Sequence, residues 1–254
     1  MNRIRTGLLI AACAFYGSSA WSQGTFAHIA VGGGWHTTIT LVNLLPSAPT
    51  AQVTFFSDTG SALVVGAAGQ TPNSQYSMNI PATGSATLVL PDSGPNVTGW
   101  AKVTASNSGV LRGQVDFVYH PGAGTNWEGV VPLTPDLAST GNCILPLPLP
   151  TAGTISFPFD QTSGLAVGLA LSNVTQTSQQ IAIAFVDQNN ATIVTDTITL
   201  GPLNHMAFML PDRYATLSNR SGIVRITGTT QVVSALALQA SPNGGFTTLI
   251  PIYQ

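Results

Sequence analysis

The chain repeats itself, and each copy alternates with a period of two. Thr40-Leu41-Val42-Asn43 precedes Ala51–Asp58 (AQVTFFSD), and Ala170-Leu171-Ser172-Asn173 precedes Gln180–Asp187 (QIAIAFVD). Further on, Ala86–Asp92 (ATLVLPD) is matched by Met206–Asp212 (MAFMLPD). Gly99–Thr104 (GWAKVT) is matched by Gly222–Thr227 (GIVRIT), and Val131-Pro132-Leu133 by Ile250-Pro251-Ile252. The marks keep one order, so any fold proposed for one half must also suit the other. The main difference is an insertion in the first copy, Gly66–Ser74 (GAAGQTPNS), which reads as a longer surface loop.

Within each copy, apolar residues alternate with polar ones, or large with small, as in Thr37–Val42, Ile181–Phe185 and Ile193–Leu200. Turn signals punctuate these runs at Asp58-Thr59-Gly60, Pro81–Gly84, Asn189-Asn190 and Pro242–Gly245. The pattern predicts about seven or eight short strands per copy, an antiparallel sandwich. Composition agrees. Charged residues are only 6% of the chain, against roughly 25% in ordinary soluble domains, and the sole lysine is Lys102. Helices lack the Glu and Lys of a solvent face, while Thr and Val suit a pleated surface. Between the copies, Thr134–Gly153 alternates Pro146, Pro148 and Pro150 with Leu, a pattern for a stiff extended strut. The expected architecture is therefore all-β, with two tandem antiparallel β-sandwich domains at 24–133 and 154–254 and a Pro-rich linker at 134–153.

This layout resembles the immunoglobulin- or fibronectin-III-like repeats of exported bacterial proteins, many of them without an assigned activity. The residues that carry the likeness are LVN at 41–43 and LSN at 171–173, FFSD at 55–58 and FVD at 185–187, and the LPD steps at 90–92 and 210–212. The resemblance implies an Ig-like sandwich and an envelope or extracellular address, and it supplies no catalytic residue. The Cys–Trp–Cys core of antibody domains is missing from it.

Residues 1–23 read as a signal peptide. Arg3 and Arg5 form the positive start, Gly7–Gly17 is an apolar run too short to span a bilayer, and Ser18-Ser19-Ala20 supplies small residues for cleavage. Leu9–Cys13 also resembles a lipobox, so lipid anchoring through Cys13 is the minority alternative. If Cys13 leaves with the leader, Cys143 is the only cysteine remaining, free or paired with another chain. No later run is long and apolar enough for a membrane helix. The seven basic residues form no stripe, which excludes a nucleic-acid footprint.

Several residues invite a chemical reading. Phe55–Ser61 (FFSDTGS) resembles the active-site loop of aspartic proteases, and Asp92-Ser93-Gly94 offers a second carboxylate. Such enzymes need two carboxylates sharing one proton, supplied from equivalent places in two lobes. Here both motifs lie in one copy, and their counterparts Asp187-Gln188-Asn189 and Asp212-Arg213-Tyr214 lose the Thr/Ser-Gly. The expectation is a β-turn capped by Asp, with Gly60 at positive φ. His28, His36, His120 and His205 have no metal-site spacing, and His205, standing where the first copy has Ser85, is expected to face solvent. No G-x-S-x-G elbow occurs, and the single glutamate, Glu128, excludes a Glu/Glu glycosidase pair. Gly32-Gly33-Gly34 lacks the Lys and helix of a phosphate loop and reads as a turn. Trp35, Trp100 and Trp127 suggest a sugar platform, but each stands opposite an apolar residue of the other copy (Leu165, Ile223, Phe246), so each is expected in a core. Asn96, Asn173, Asn190 and Asn219 begin N-x-S/T triplets. No residue is assigned a catalytic, cofactor or metal role. The expected function is a non-catalytic secreted or cell-surface module whose protein or glycan partner is unknown. The alternatives are a carbohydrate-binding module and an aspartate-dependent hydrolase using Asp58.

Overall fold

The computed structural model describes residues 22–106, 111–120, 122, 126–135, 153–228 and 233–253. Most of the leader, with Cys13, and most of the Pro-rich stretch, with Cys143, lie outside the described residues. In chain order the first strands are β1 (Ser22–Val31), β2 (Trp35–Asn43), β3 (Thr50–Ser57), β4 (Val65–Ala67) and β5 (Gln70–Asn73). Next come β6 (Gln75–Asn79), β7 (Ser85–Leu90), β8 (Val97–Ala105), β9 (Leu111–Tyr119), β10 (Trp127–Pro132) and β11 (Thr134–Pro135). The later strands begin with β12 (Thr154–Asp160), β13 (Ala166–Asn173), β14 (Gln179–Val186), β15 (Thr192–Leu200) and β16 (His205–Met209). A helical turn, α1 (Leu210–Arg213), leads to β17 (Ser221–Thr227), β18 (Val233–Ala240), β19 (Phe246–Leu249) and β20 (Ile252–Tyr253).

The protein is all-β, and every strand pairing among the described residues is antiparallel. Two sheets, β11-β1-β8-β3-β6 and β10-β9-β2-β7, face each other, and two more, β15-β14-β17-β12-β20 and β16-β13-β18-β19, do the same. With the β4–β5 hairpin left out, so that β12, β13 and β14 stand for β1, β2 and β3 and β15 to β20 for β6 to β11, both sheet pairs have one strand order. Each encloses its own core. Phe26, Phe55, Ile39, Leu41 and Phe117 fill the first, and Phe157, Phe185, Leu169, Leu171 and Ile183 the second. Alternation does this work directly: in β2, Ile39 and Leu41 are buried while Thr38 and Thr40 are only half-buried. Each fully buried Phe or Leu removed from water contributes about 1.5–3 kcal/mol. No helix among the described residues is long and apolar enough to cross a membrane.

Two local expectations need correction. The insertion at Gly66–Ser74 is not a bare loop. Its residues complete the β4–β5 hairpin, which turns at Gly69, and Val65 and Ala67 are buried in the first core. Two small apolar side chains suffice to tie it down. The start of the Pro-rich stretch also has regular structure, since Thr134 and Pro135 pair with Thr25 and Gly24 of β1.

The repeated Asn at the end of β2 and of β13 has a clear physical role. Asn43 Nδ2 donates to the carbonyls of Leu45, Ser47 and Pro81, while its Oδ1 accepts from the Leu45 N–H. Asn173 repeats this, donating to Thr177, Leu200 and Gly201 and accepting from the Thr175 N–H. Both side chains are buried, so each satisfies loop carbonyls that would otherwise lose water without replacement. Replacing either by Ala leaves several buried groups unpaired. In urea titrations, N43A and N173A should each lower the unfolding free energy by about 2–4 kcal/mol.

Candidate functional site

The two sheet pairs are docked against each other, and the sequence pattern of β13 and β18 explains where. Their core-facing residues are Val167, Leu169, Leu171, Ala235 and Ala237. Their other face carries Gly168, Ala170, Ser172, Leu236 and Leu238, with no charged side chain. Ala170 and Leu236 are buried as members of the first core, and Leu238 packs against it. The corresponding strands of the first copy instead place Thr38, Thr40, Gln114 and Asp116 outward. A sheet face so apolar needs a cover, and β1 provides it.

β1 is bulged where it meets that face. Phe26 pairs with Ala101 and Ile29 with Gly99, so Ala27 and His28 together oppose the single residue Trp100. A bulge bends its strand and re-aims side chains. Here Ser172 Oγ donates to the Ala27 carbonyl at 2.8 Å, and the imidazole of His28 reaches the second sheet pair. Trp100 is fully buried, stacks on Phe56 at 4.6 Å between ring centres, and donates its Nε1–H to the Leu203 carbonyl at 2.7 Å.

Three side chains form a hydrogen-bonded row across the junction. Asp58 Oδ1 lies 2.7 Å from His205 Nδ1, and His205 Nε2 lies 3.1 Å from His28 Nδ1. The carboxylate only accepts, which assigns the tautomers in turn. His205 donates from Nδ1 and accepts at Nε2, so His28 donates from Nδ1 and keeps Nε2 as an acceptor. Burial lowers the His205 imidazole below its ordinary value even though Asp58 pulls the other way. Burial, with a smaller contribution from His205, lowers His28 from 6.5 to about 3. The Asp58–His205 contact is therefore a carboxylate–neutral imidazole bond at neutral pH.

His205 begins β16 as expected, but it does not face solvent: it is 3% exposed. Its strand position points outward from its own sheet pair, and that outward side is what the first pair covers. The protease-like loop is corrected as well. Gly60 does sit at φ +77 in a turn, its N–H bonded to the Ser57 carbonyl. Yet the Asp58 carboxylate does not cap that turn; it leaves to bind His205. In the second copy Asp187 keeps the local role and accepts the N–H groups of Asn189 and Ala191. A Cβ on Gly60 would meet the Pro202 carbonyl at 2.3 Å, so the loop fits the second pair only as glycine. With its amide turned to donate, Asn204 reaches the Thr59 carbonyl at 2.9 Å. Asp92 is engaged elsewhere, accepting the Gly34 N–H at 2.9 Å, within a turn where Gly32, Gly33 and Gly34 all have positive φ.

Beside the row lies a cavity of about 610 Å³ between the sheet pairs. Trp35, Trp127 and Phe246 line it together with Leu236, Leu238 and Ala207, and His28, Asn96 and Thr98 supply polar side chains. The ring of Trp35 lies 4.8 Å from that of Tyr119 and 5.7 Å from that of Phe246. Of the three tryptophans among the described residues, Trp100 is wholly buried, and Trp35 and Trp127 are half-buried at the cavity. The remaining histidines have local partners, His36 with Thr38 Oγ1 and His120 with Asn126 Oδ1. Among the described residues, no group of three His, Cys, Asp or Glu side chains is placed to hold a metal ion.

Sequence reasoning missed the cavity, His28 and the Asp58–His205 bond. One signal was present: AVGLALSN and VSALALQA are apolar or small on both faces, unlike WHTTITLVN. Both faces of such strands are buried. The chain matches no family model, no curated protein and no solved structure.

A histidine whose folded pKa lies below its unfolded one resists protonation that the unfolded chain accepts. Stability is then complete above about pH 6.5 and falls steadily as pH drops toward the folded value. Between roughly pH 7.5 and 5, His28 alone should remove about 2 kcal/mol, with His205 adding to the loss. Urea titrations across that range should show this slope, and His28→Asn, which keeps an N–H donor but takes up no proton, should flatten it. At neutral pH, Asp58→Ala should cost about 1–3 kcal/mol, because it strands the buried Nδ1–H of His205.

Proposed function

We propose that this protein is a non-catalytic, exported binding module. In this reading residues 24–133 and 154–254 are tandem immunoglobulin-like domains behind a signal peptide at 1–23, joined by the Pro-rich stretch, and their junction is the binding surface. The mature protein works outside the cytoplasm, in the envelope or beyond it. Support for the tandem arrangement comes from the strand order common to both sheet pairs.

One observation carries the non-catalytic reading: the side chains that resemble an acid–base apparatus already hold the fold together. Asp58 binds His205 and sits 3.5 Å from Thr98 Oγ1, while Asp92 binds the Gly34 N–H. The two carboxylates thus have separate partners, whereas an aspartic-protease dyad shares one proton between them. Among the described residues no hydroxyl or thiol is hydrogen-bonded to the His28 end of the row, and the nearby Ser172 hydroxyl already donates to the Ala27 carbonyl. Carbohydrate binding is the second reading, favoured by Trp35 and Trp127 at the cavity. Against it, a sugar carries a hydroxyl on most of its carbons, and few polar side chains meet it there.

Purified protein incubated with casein and with chromogenic aryl glycosides should give no turnover above a D58N control. Turnover that D58N abolishes would overturn the non-catalytic reading. The full chain expressed in a bacterium should be recovered from periplasm or medium with its leader removed, as read by intact mass. Cytoplasmic retention with Met1 in place would overturn the export reading.

A further inference from the structure

We propose that the cavity between the sheet pairs binds a neutral, mainly apolar, ring-bearing small molecule that donates one hydrogen bond to His28 Nε2. This rests on the binding-module reading and names its ligand class.

Size, charge and hydrogen-bond polarity each narrow the choice. The volume of about 610 Å³ falls within the roughly 300–1,000 Å³ of small-molecule sites. Among the described residues no Asp, Glu, Lys or Arg lines the cavity. An ionised ligand would leave water for a site without a counter-charge, at a large cost. The aromatic rings of Trp35, Trp127 and Phe246 suit a planar ring, and Leu236 and Leu238 add aliphatic lining.

The polar anchor follows from the hydrogen-bonded row. His28 gives its Nδ1–H to His205, whose own Nδ1–H is held by Asp58. That fixes the remaining nitrogen of His28 as an acceptor, and no described residue bonds it. Burial keeps the ring neutral at ordinary pH, so this nitrogen asks for a hydroxyl or N–H. Thr98 is turned toward Asp58 Oδ2, and Asn96 stands as the one further polar side chain of the lining. One donor on an apolar ring therefore fits; a polyhydroxyl ligand does not. Because the walls come from both sheet pairs, the site exists only while they are docked.

Isothermal titration calorimetry with the intact mature protein at neutral pH tests this. 1-Naphthol should bind saturably at one site. Naphthalene, lacking the donor, should bind about tenfold more weakly. 1-Naphthalenesulfonate and cellobiose should give no heat of binding. Ala207→Trp should fill the cavity and abolish naphthol binding without lowering the melting temperature; if that variant does not fold, Leu238→Trp repeats the test from β18 of the same sheet. Any of three results overturns the proposal: no binding of naphthol, equal binding of the sulfonate, or binding that survives a folded cavity-filling variant. Cellobiose binding overturns it in favour of a sugar site. The casein and glycoside assays do not involve the cavity. Failure here with no Asp58-dependent turnover therefore removes the ligand class alone.

Discussion

The docking of β1 onto the apolar outer face of β13 and β18 is the contact on which the other features depend. An isolated sandwich buries one side of each sheet and leaves the other to water. In the second sheet pair that other side is Gly168, Ala170, Leu236 and Leu238, which gain nothing from solvent. Covering them with β1 moves Ala170 and Leu236 into the first core. The junction then behaves as interior. Ser172 reaches the Ala27 carbonyl and Trp100 that of Leu203, as buried polar groups generally do, while the Ser234 hydroxyl opposite Ser172 is buried without a partner among the described residues.

Asp58, His205 and His28 follow from the same requirement. Two imidazoles placed in a dry junction are tolerable if neutral and hydrogen-bonded, and one carboxylate at the rim orders both tautomers. Asp58 keeps 57% of its side chain exposed, so its charge stays hydrated while it directs the buried His205 and, through it, the half-buried His28. A hydrated charge at the edge with neutral groups inside avoids the desolvation cost of a buried ion pair. The arrangement favours neutral imidazoles, and it leaves His28 Nε2 as an acceptor with no partner among the described residues.

The two copies share a strand order and diverge where they meet. Asp187 caps its own turn, whereas Asp58 at the matching place crosses to the other sheet pair. Ser85 is exposed; His205, its counterpart, is buried. Trp100 is fully buried, whereas Ile223 is 36% exposed. Each difference has one cause. The first copy contributes a strand and a loop edge to the junction, the second contributes a sheet face, and residues with identical places in their own sheets therefore meet different surroundings.

From the sequence alone, the alternation of Ile39, Leu41 and their counterparts Leu169, Leu171 sets the β class and the core-facing side of the strands, because side-chain direction follows from a period of two. The turn at Gly60 was legible too, since Asp-Thr-Gly is local turn chemistry. What escaped was the fate of the outward side. His205 at a strand start looks like any solvated polar residue until the partner 147 residues earlier, Asp58, is brought beside it. Periodicity orders residues within a strand and says nothing of which surface another sheet will cover. The joining of Asp58, His205 and His28, and the cavity beside them, was decided only by tertiary packing, where an apolar sheet face was covered by a strand of the other sheet pair and these three side chains, brought together there, hydrogen-bonded one another.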